Sequence, residues 1–112
     1  MKNKIFGIVG QEFVKEAPVL IVPVTDVNKS DVPIQDIAVA SENMFLQAKA
    51  LGLGTVWKNV GNNELAVRIK TLLNIPEQFL LINIIPIGYP KEIQPAHSEE
   101  EFDKNRIHYE KW

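Results

Sequence analysis

Cysteine is absent from the 112 residues of this chain. Its absence excludes disulfide bonds, thiolate metal sites and cysteine nucleophiles, and it fits the reducing cytoplasm, where we expect the protein to reside. An excess of positive charge is also absent, because 12 lysine and arginine residues stand against 14 acidic residues. A basic face for nucleic acid would have to be local, and we expect no nucleic-acid partner.

Long apolar runs are missing as well. The longest candidate for a membrane span is interrupted by Asp36, Glu42 and Lys49, whereas a transmembrane helix needs about 18 uncharged apolar residues. Two lysines precede a short apolar stretch at the start, but Gln11 ends that stretch too early for a secretion signal. We therefore expect a soluble protein with no membrane partner. No linker or repeat is visible, and we interpret residues 1–112 as one domain.

The strongest periodic signal predicts a long helix between Asp31 and Leu51. At 3.6 residues per turn, eight residues form one broad, mostly apolar face: Ile34, Ile37, Ala38, Ser41, Met44, Phe45, Ala48 and Leu51. A second, narrower apolar stripe of Val39, Leu46 and Ala50 lies across the helix axis. Because such a helix has two sides to bury in a small domain, we predict a homodimer with the second stripe in its interface.

Both ends of this helix carry recognisable signals. Asp31 or Ser30 can cap the first amides, and Pro33 suits the first turn because its missing N–H costs nothing there. Gly52 suits the left-handed conformation that ends many helices. The segment that follows, up to Trp57, predicts a short strand.

Two further apolar runs predict strands covered on both faces. Residues 19–25 lack alternation, and we place them at or near the centre of a sheet, with an irregularity at Pro23. Residues 79–87 are equally apolar, and Pro86 would be tolerated near the end of that strand. The sequence therefore predicts a sheet without a wet face along these two strands.

The remaining segments give weaker signals. Residues 2–15 have helical patterning broken by glycines, and we expect short helical turns there. Asn62 or Asn63 can cap a second helix that ends at Asn74. Residues 91–112 are polar with single aromatic residues, a composition typical of an arm that lies over a surface.

No catalytic constellation stands out. His97 and His108 flank an acidic run, which we interpret as a solvated face rather than a metal site. Gly52 and Gly54 could begin a phosphate-binding loop, but we favour a helix cap followed by a strand.

Lys104 and Arg106 are more informative. In an extended arm, residues two apart point to the same side, so these two cations could hold one phosphate. Asp103 or Glu110 could equally offset their charge in a surface ion pair. The spacing alone leaves both interpretations open.

Three pieces of the sequence, taken in order, resemble the C-terminal part of FMN-dependent nitroreductases. They are DIAVASENMFLQAKALGLGTVW, LNIPEQFLLINIIPIGYPKE and FDKNRIHYEKW, and the strand entry APVLIV matches as well. The resemblance covers nearly the whole chain from about Gln11 onward. It implies an α+β, nitroreductase-like sandwich with a mainly antiparallel sheet and a long central helix. It also implies an intertwined homodimer along that helix, with FMN at the interface.

The resemblance implies roles for four residues. In the family, the loop after the extended segment gives a backbone amide to the central-ring nitrogen of the flavin, and here that loop contains Asn59 and Val60. Lys104 and Arg106 stand where many members bind the FMN phosphate. The implied chemistry is hydride transfer from NADH or NADPH to flavin and then to a nitroaromatic, quinone or similar acceptor.

The resemblance has one large gap. Nitroreductases begin with an Arg/Ser-rich segment that binds the FMN phosphate, and residues 1–10 contain no counterpart. The resemblance therefore implies a domain truncated at its N-terminus. Such a chain could instead be a non-enzymatic dimeric module that keeps the nitroreductase fold for ligand binding or interaction.

Overall fold

The computed structural model describes residues 1–61 and 64–112. Its elements in chain order are α1 (Lys2–Val9), α2 (Glu12–Glu16), β1 (Val19–Ile21), β2 (Thr25–Asp26), α3 (Pro33–Ala50), β3 (Gly54–Thr55), β4 (Lys58–Asn59), α4 (Glu64–Leu73), β5 (Phe79–Leu80), β6 (Asn83–Gly88) and the single-turn 3₁₀ helices η1 (Glu99–Glu101) and η2 (Lys104–Arg106). All strand pairings described are antiparallel. The predicted combination of helices with a mainly antiparallel sheet is confirmed. No helix within the described ranges has the length and apolar character needed to cross a bilayer.

Strand β6 is the centre of the main sheet. β1 pairs with one edge of β6, and β3 and β4 pair with the other edge. Gly54 of β3 lies opposite Gly88, and Asn59 of β4 lies opposite Asn83 in the same register. The two segments therefore form one strand, and its interruption lies opposite Pro86, which has no N–H to donate to a ladder.

Helices cover both faces of β6. Ile84 belongs to a core cluster with residues of α1, α2 and α4, whereas Asn83 forms a hydrogen bond with α3 on the other face. The buried members of the cluster are Ile5, Val14, Val60, Ala66, Ile69, Leu81 and Ile84. β6 has no wet face over residues 83–86, as its composition predicts.

The two apolar runs are each divided into two strands. Residues 79–87 contain β5, which pairs with β2 in a separate sheet, and most of β6. Residues 19–25 likewise contain β1 and the start of β2 on either side of Pro23. The predicted central position of this run is wrong, because β1 lies at an edge and Val19 is 52% exposed. None of residues 19–25 is fully buried, so the predicted cover on both faces is also wrong for this run. An apolar run alone does not identify the strand that pairs with it.

Helix α3 is about 27 Å long from its 18 residues. Val32 occupies the N-cap position, so the predicted capping by Asp31 or Ser30 is wrong. Ser30 instead binds the residues around the start of the helix. Its Oγ accepts a hydrogen bond from the amide of Val32 at 3.1 Å and donates one to the Asp36 carboxylate. These bonds fix the approach of the chain to the helix.

Left-handed residues end the two longest helices. Gly52 has φ 74°, and the amide of Leu53 donates to the Ala48 carbonyl at 2.8 Å, which completes a Schellman motif. Asn74 takes the same conformation after α4, with φ 54°. The predicted ends of both helices are confirmed.

The N-terminal segment is more helical than its pattern indicates. α1 runs for eight residues and ends at the left-handed Gly10, where short turns were expected. It buries Ile5 in the cluster that α4 shares, so tertiary packing supports a helix that propensity alone would leave marginal. The caps predicted at Asn62 or Asn63 lie outside the described residues.

Residues 89–112 form the C-terminal arm, and all of them are exposed. An ion pair of 3.7 Å between Lys91 and Glu16 joins the start of the arm to α2. The Cα radius of gyration is 16.8 Å, against about 13 Å for a compact chain of roughly this length. The arm thus extends from the domain instead of covering the surface of its own chain.

Candidate cofactor-binding site

The first half of the predicted site lies at the end of β4. Residues 58–61 were predicted to be a loop, but Lys58 and Asn59 form a strand because the edge of β6 continues beyond Pro86. Asn59 remains exposed, whereas Val60 is completely buried in the core cluster. The two neighbours therefore face different environments.

The chain after β4 is held by one carbonyl group, which belongs to the residue just before β6. The amides of Val60 and Gly61 both donate to the oxygen of Ile82, at 2.9 and 3.0 Å. The role implied for Val60 needs an open amide, and here that amide already has an acceptor. The expectation of a free loop is thus corrected, while the contact of Asn59 and Val60 with flavin stays a prediction.

The second half of the predicted site lies on the C-terminal arm. Lys104 and Arg106 belong to η2, where successive residues turn by about a third of a circle, so they do not share a side as in an extended arm. Asp103 causes this turn, because its carboxylate accepts the Asn105 amide at 3.1 Å. It also lies 3.6 Å from Nε of Arg106, an exposed ion pair. For Arg106, the structure therefore shows the surface ion pair with Asp103 that the sequence left open.

The two halves are not bonded to each other within one chain. No hydrogen bond or ion pair in the described part of the chain joins Lys104 or Arg106 to Asn59 or Val60. The donor set nevertheless fits FMN in kind, because two cations suit a phosphate and a backbone turn beside a sheet suits a flat ring.

Two adjoining clefts, which no sequence pattern predicted, lie at the opposite end of the β3–β4 strand. Their volumes are about 420 and 540 Å³. Both are lined by Gly54, Thr55, Tyr89 and Pro90, where the arm leaves β6. None of the four predicted site residues lines either cleft.

A buried polar pair also escaped the sequence interpretation. Nδ2 of Asn83 donates to Oγ of Ser41 at 3.1 Å, and both residues are 0% exposed. The available signal was a polar residue inside an otherwise apolar pattern, once on the broad face of α3 and once in the run at residues 79–87. Such residues fit a core only when they find polar partners.

The two histidines contact other side chains of the C-terminal arm. Nδ1 of His97 contacts the carboxylate of Glu101, and both side chains are largely exposed. The ring of His108 stacks on Trp112, with centroids 4.3 Å apart. In residues 1–61 and 64–112, no group of three or more histidine, aspartate or glutamate side chains could hold a metal ion.

Comparison with protein families gives a clear match. The model of the nitroreductase family aligns with residues 5–89. A protein of Methanothermobacter thermautotrophicus, with the name "Putative NADH dehydrogenase/NAD(P)H nitroreductase", is 43% identical over 103 residues, which are 88% of this chain and 53% of the relative. A protein of Archaeoglobus fulgidus with the same name is 37% identical over 84 residues, 73% of this chain and 48% of the relative. The chain spans about half the length of these curated relatives.

The fold has close counterparts among solved structures. A protein of Clostridium difficile R20291 described as an FMN-dependent nitroreductase superposes with a TM-score of 0.89 at 31% sequence identity. The superposition covers 100% of this chain and 72% of that protein. The nitroreductase-like fold expected from the resemblance is thereby confirmed.

Proposed function

Because this chain belongs to the nitroreductase family, we propose that it is an FMN-dependent oxidoreductase. It would take hydride from NADH or NADPH and pass it to a nitroaromatic, quinone or similar acceptor. The observation that carries the proposal is the agreement in fold, over the whole chain, with a protein described as an FMN-dependent nitroreductase. The absence of cysteine fits a reducing compartment, and the proposal places the protein in the cytoplasm.

Four residues of the chain would hold the cofactor. Lys104 and Arg106 carry the positive charge that a phosphate dianion requires, and both are exposed and within reach of a ligand. Asn59 and Val60, at the end of β4, would lie beside the ring, where a backbone amide stabilises negative charge. FMN, when bound, supplies hydride acceptance and donation. A contact from the amide of Val60 would require release of its bond to Ile82.

A second copy of the chain is part of the proposal. The narrow stripe on α3 is open in one chain, with Val39 63% and Leu46 62% exposed. Pairing along α3 would bury this stripe and bring the arm of one copy against the body of the other. The exposed aromatic residues of the arm, Tyr89, Phe102, Tyr109 and Trp112, supply apolar surface for such a contact.

The proposal is tested by the visible spectrum of the purified chain. We expect flavin absorption, or quenching of the fluorescence of added FMN, followed by NADPH or NADH oxidation that depends on a nitroaromatic acceptor. A colourless protein that leaves FMN fluorescence unchanged overturns the proposal.

A non-enzymatic dimeric module is the second candidate. It is favoured by the arrangement in one chain, where no bond among the described residues joins the arm cations to Asn59 or Val60, and where the Val60 amide is occupied. Such a module would form the dimer without binding flavin or oxidising NADPH. A yellow protein that turns over NADPH with a nitroaromatic excludes it.

A further inference from the structure

We propose that Ser41 and Asn83 are positioning residues for the turn at residues 59–61, and that they act through the carbonyl group of Ile82. The inference rests on the proposed function only in treating this turn as the part of the chain that meets the flavin. The mechanical link itself is a property of the flavin-free chain. It consists of three contacts: the bond between Ser41 and Asn83, the pairing of Asn83 with Asn59, and the bonds from the turn to the Ile82 carbonyl.

The first contact joins α3 to β6. Nδ2 of Asn83 donates to Oγ of Ser41 at 3.1 Å between residues 42 positions apart in sequence. Both side chains are completely buried, so water does not compete for the bond. The bond therefore fixes the orientation of Asn83, and with it the peptide group that Asn83 shares with Ile82.

The second and third contacts lead from that peptide group to the turn. Asn83 lies opposite Asn59 in the ladder, and Ile82 accepts the amides of both Val60 and Gly61. Residues 59–61 are thus held by two consecutive residues, Ile82 and Asn83, at the start of β6. A rotation of the Ile82 carbonyl would weaken both of its hydrogen bonds together, because hydrogen bonds lose strength as their angle departs from linear.

The composition of the pair argues against a purely stabilising role. Oδ1 of Asn83 is buried and has no hydrogen-bond partner among the described residues. An unpaired buried acceptor lowers stability relative to an apolar side chain of similar size. A leucine at position 83 would leave no unpaired polar atom in the core. The asparagine instead forms a directional hydrogen bond, which defines how α3 and β6 are placed relative to each other.

The test compares amide hydrogen exchange in the flavin-free chain. The variants are Ser41→Ala, Asn83→Leu and Ser41→Thr, which keeps the hydroxyl group. Ile37→Val is the matched control, because Ile37 is a buried residue of α3 outside the proposed link. Ser41→Ala also keeps the test valid if Asn83→Leu does not fold.

In Ser41→Ala and Asn83→Leu, we expect the Val60 and Gly61 amides to exchange about five- to tenfold faster than in the unsubstituted chain. Amides of α4 should change no more than in Ile37→Val, and Ser41→Thr should restore slow exchange at the turn. Equal acceleration throughout the chain, or no change at Val60 and Gly61, overturns the proposal.

A second readout connects the link to the cofactor. In the FMN-bound chain, Ser41→Ala should shift the midpoint potential of the flavin, Ser41→Thr should restore it, and Ile37→Val should leave it unchanged. A potential unaffected by Ser41→Ala overturns the connection to flavin. Failure of the unsubstituted chain to bind FMN overturns the proposed function instead, and the exchange experiment still decides the positioning role.

Discussion

The surroundings of a predicted site residue decide whether its polar atoms are available to a ligand, and at Val60 they are not. Its side chain is completely buried and its amide is bonded to Ile82, so in this structure it supports the sheet. Arg106 is the opposite case, because its side chain is 86% exposed and forms an ion pair with Asp103. An exposed pair of this kind contributes little to stability, so the guanidinium can exchange it for a stronger anion at small cost.

We predict that Arg106→Ala weakens FMN binding by about ten- to a hundredfold, because a hydrogen bond to a charged group contributes about 1.5 to 3 kcal/mol. The measurement is a fluorescence-quenching titration with FMN. Arg68→Ala is the matched control, because Arg68 is also exposed but lies on α4, and it should leave the affinity unchanged. Equal affinity of the Arg106→Ala variant and the unsubstituted chain would place the phosphate elsewhere.

Among the elements, the end of β6 depends on close approach of two backbones. A Cβ on Gly88 would lie 2.9 Å from Cδ of Pro18, a separation that forces a shift of a rigid ring. Gly7 in α1 is the contrasting glycine, because nothing lies within 4 Å of its Cβ position. The same substitution should thus have opposite effects at the two sites.

We predict that Gly88→Ala destabilises the chain by about 1–3 kcal/mol through overpacking. Gly7→Ala should stabilise it by about 0.5–1 kcal/mol, because alanine loses less conformational entropy in a helix. Urea unfolding followed by circular dichroism measures both changes. A Gly88→Ala variant as stable as the unsubstituted chain would contradict the close packing against Pro18.

Local signals were predictable from the sequence, and distant partners were not. The extent of α3 followed from Pro33 and Gly52, because turn and cap preferences act within a few residues. The separation of β5 from β6 depends on pairing with β2, more than 50 residues earlier in the chain, and no nearby residue encodes it. The turn η2 had a local signal in Asp103, which the predicted extended arm overlooked.

The family of the candidate site was recognisable in the same way, but its geometry was not. The motif that ends at Trp57, just before Asn59, and the motif that contains Arg106 carried part of the resemblance, and the comparisons confirm the family. The occupied amide of Val60 depends on Ile82, which is brought beside it only by the fold. Predicting it would have required the register of β4 against β6.

At the scale of the whole molecule, a single chain combines a small core with a large exposed apolar surface. The arm and the second stripe of α3 are both open, and the Cα extents of 47 × 38 × 23 Å show an elongated chain. Leu46 on that stripe and Val67 on α4 are almost equally exposed, at 62% and 63%. A monomer should therefore tolerate a charge equally well at either position.

We predict that Leu46→Glu gives a monomer or an aggregate, because the substitution would bury a charge in the proposed dimer interface. Val67→Glu is the matched control, and it should leave the dimer intact. Size-exclusion chromatography with light scattering distinguishes the two outcomes. A well-folded dimer from the Leu46→Glu chain would remove the stripe from the interface.

The central claim is that two copies of this chain together bind FMN, and sedimentation of the protein with FMN tests it most directly. Protein absorbance and the visible absorbance of flavin are followed in the same cell. We predict that the flavin sediments with a species of twice the 12.7 kDa chain mass. Flavin that stays behind while the protein sediments, or that travels with a single chain, would contradict the account.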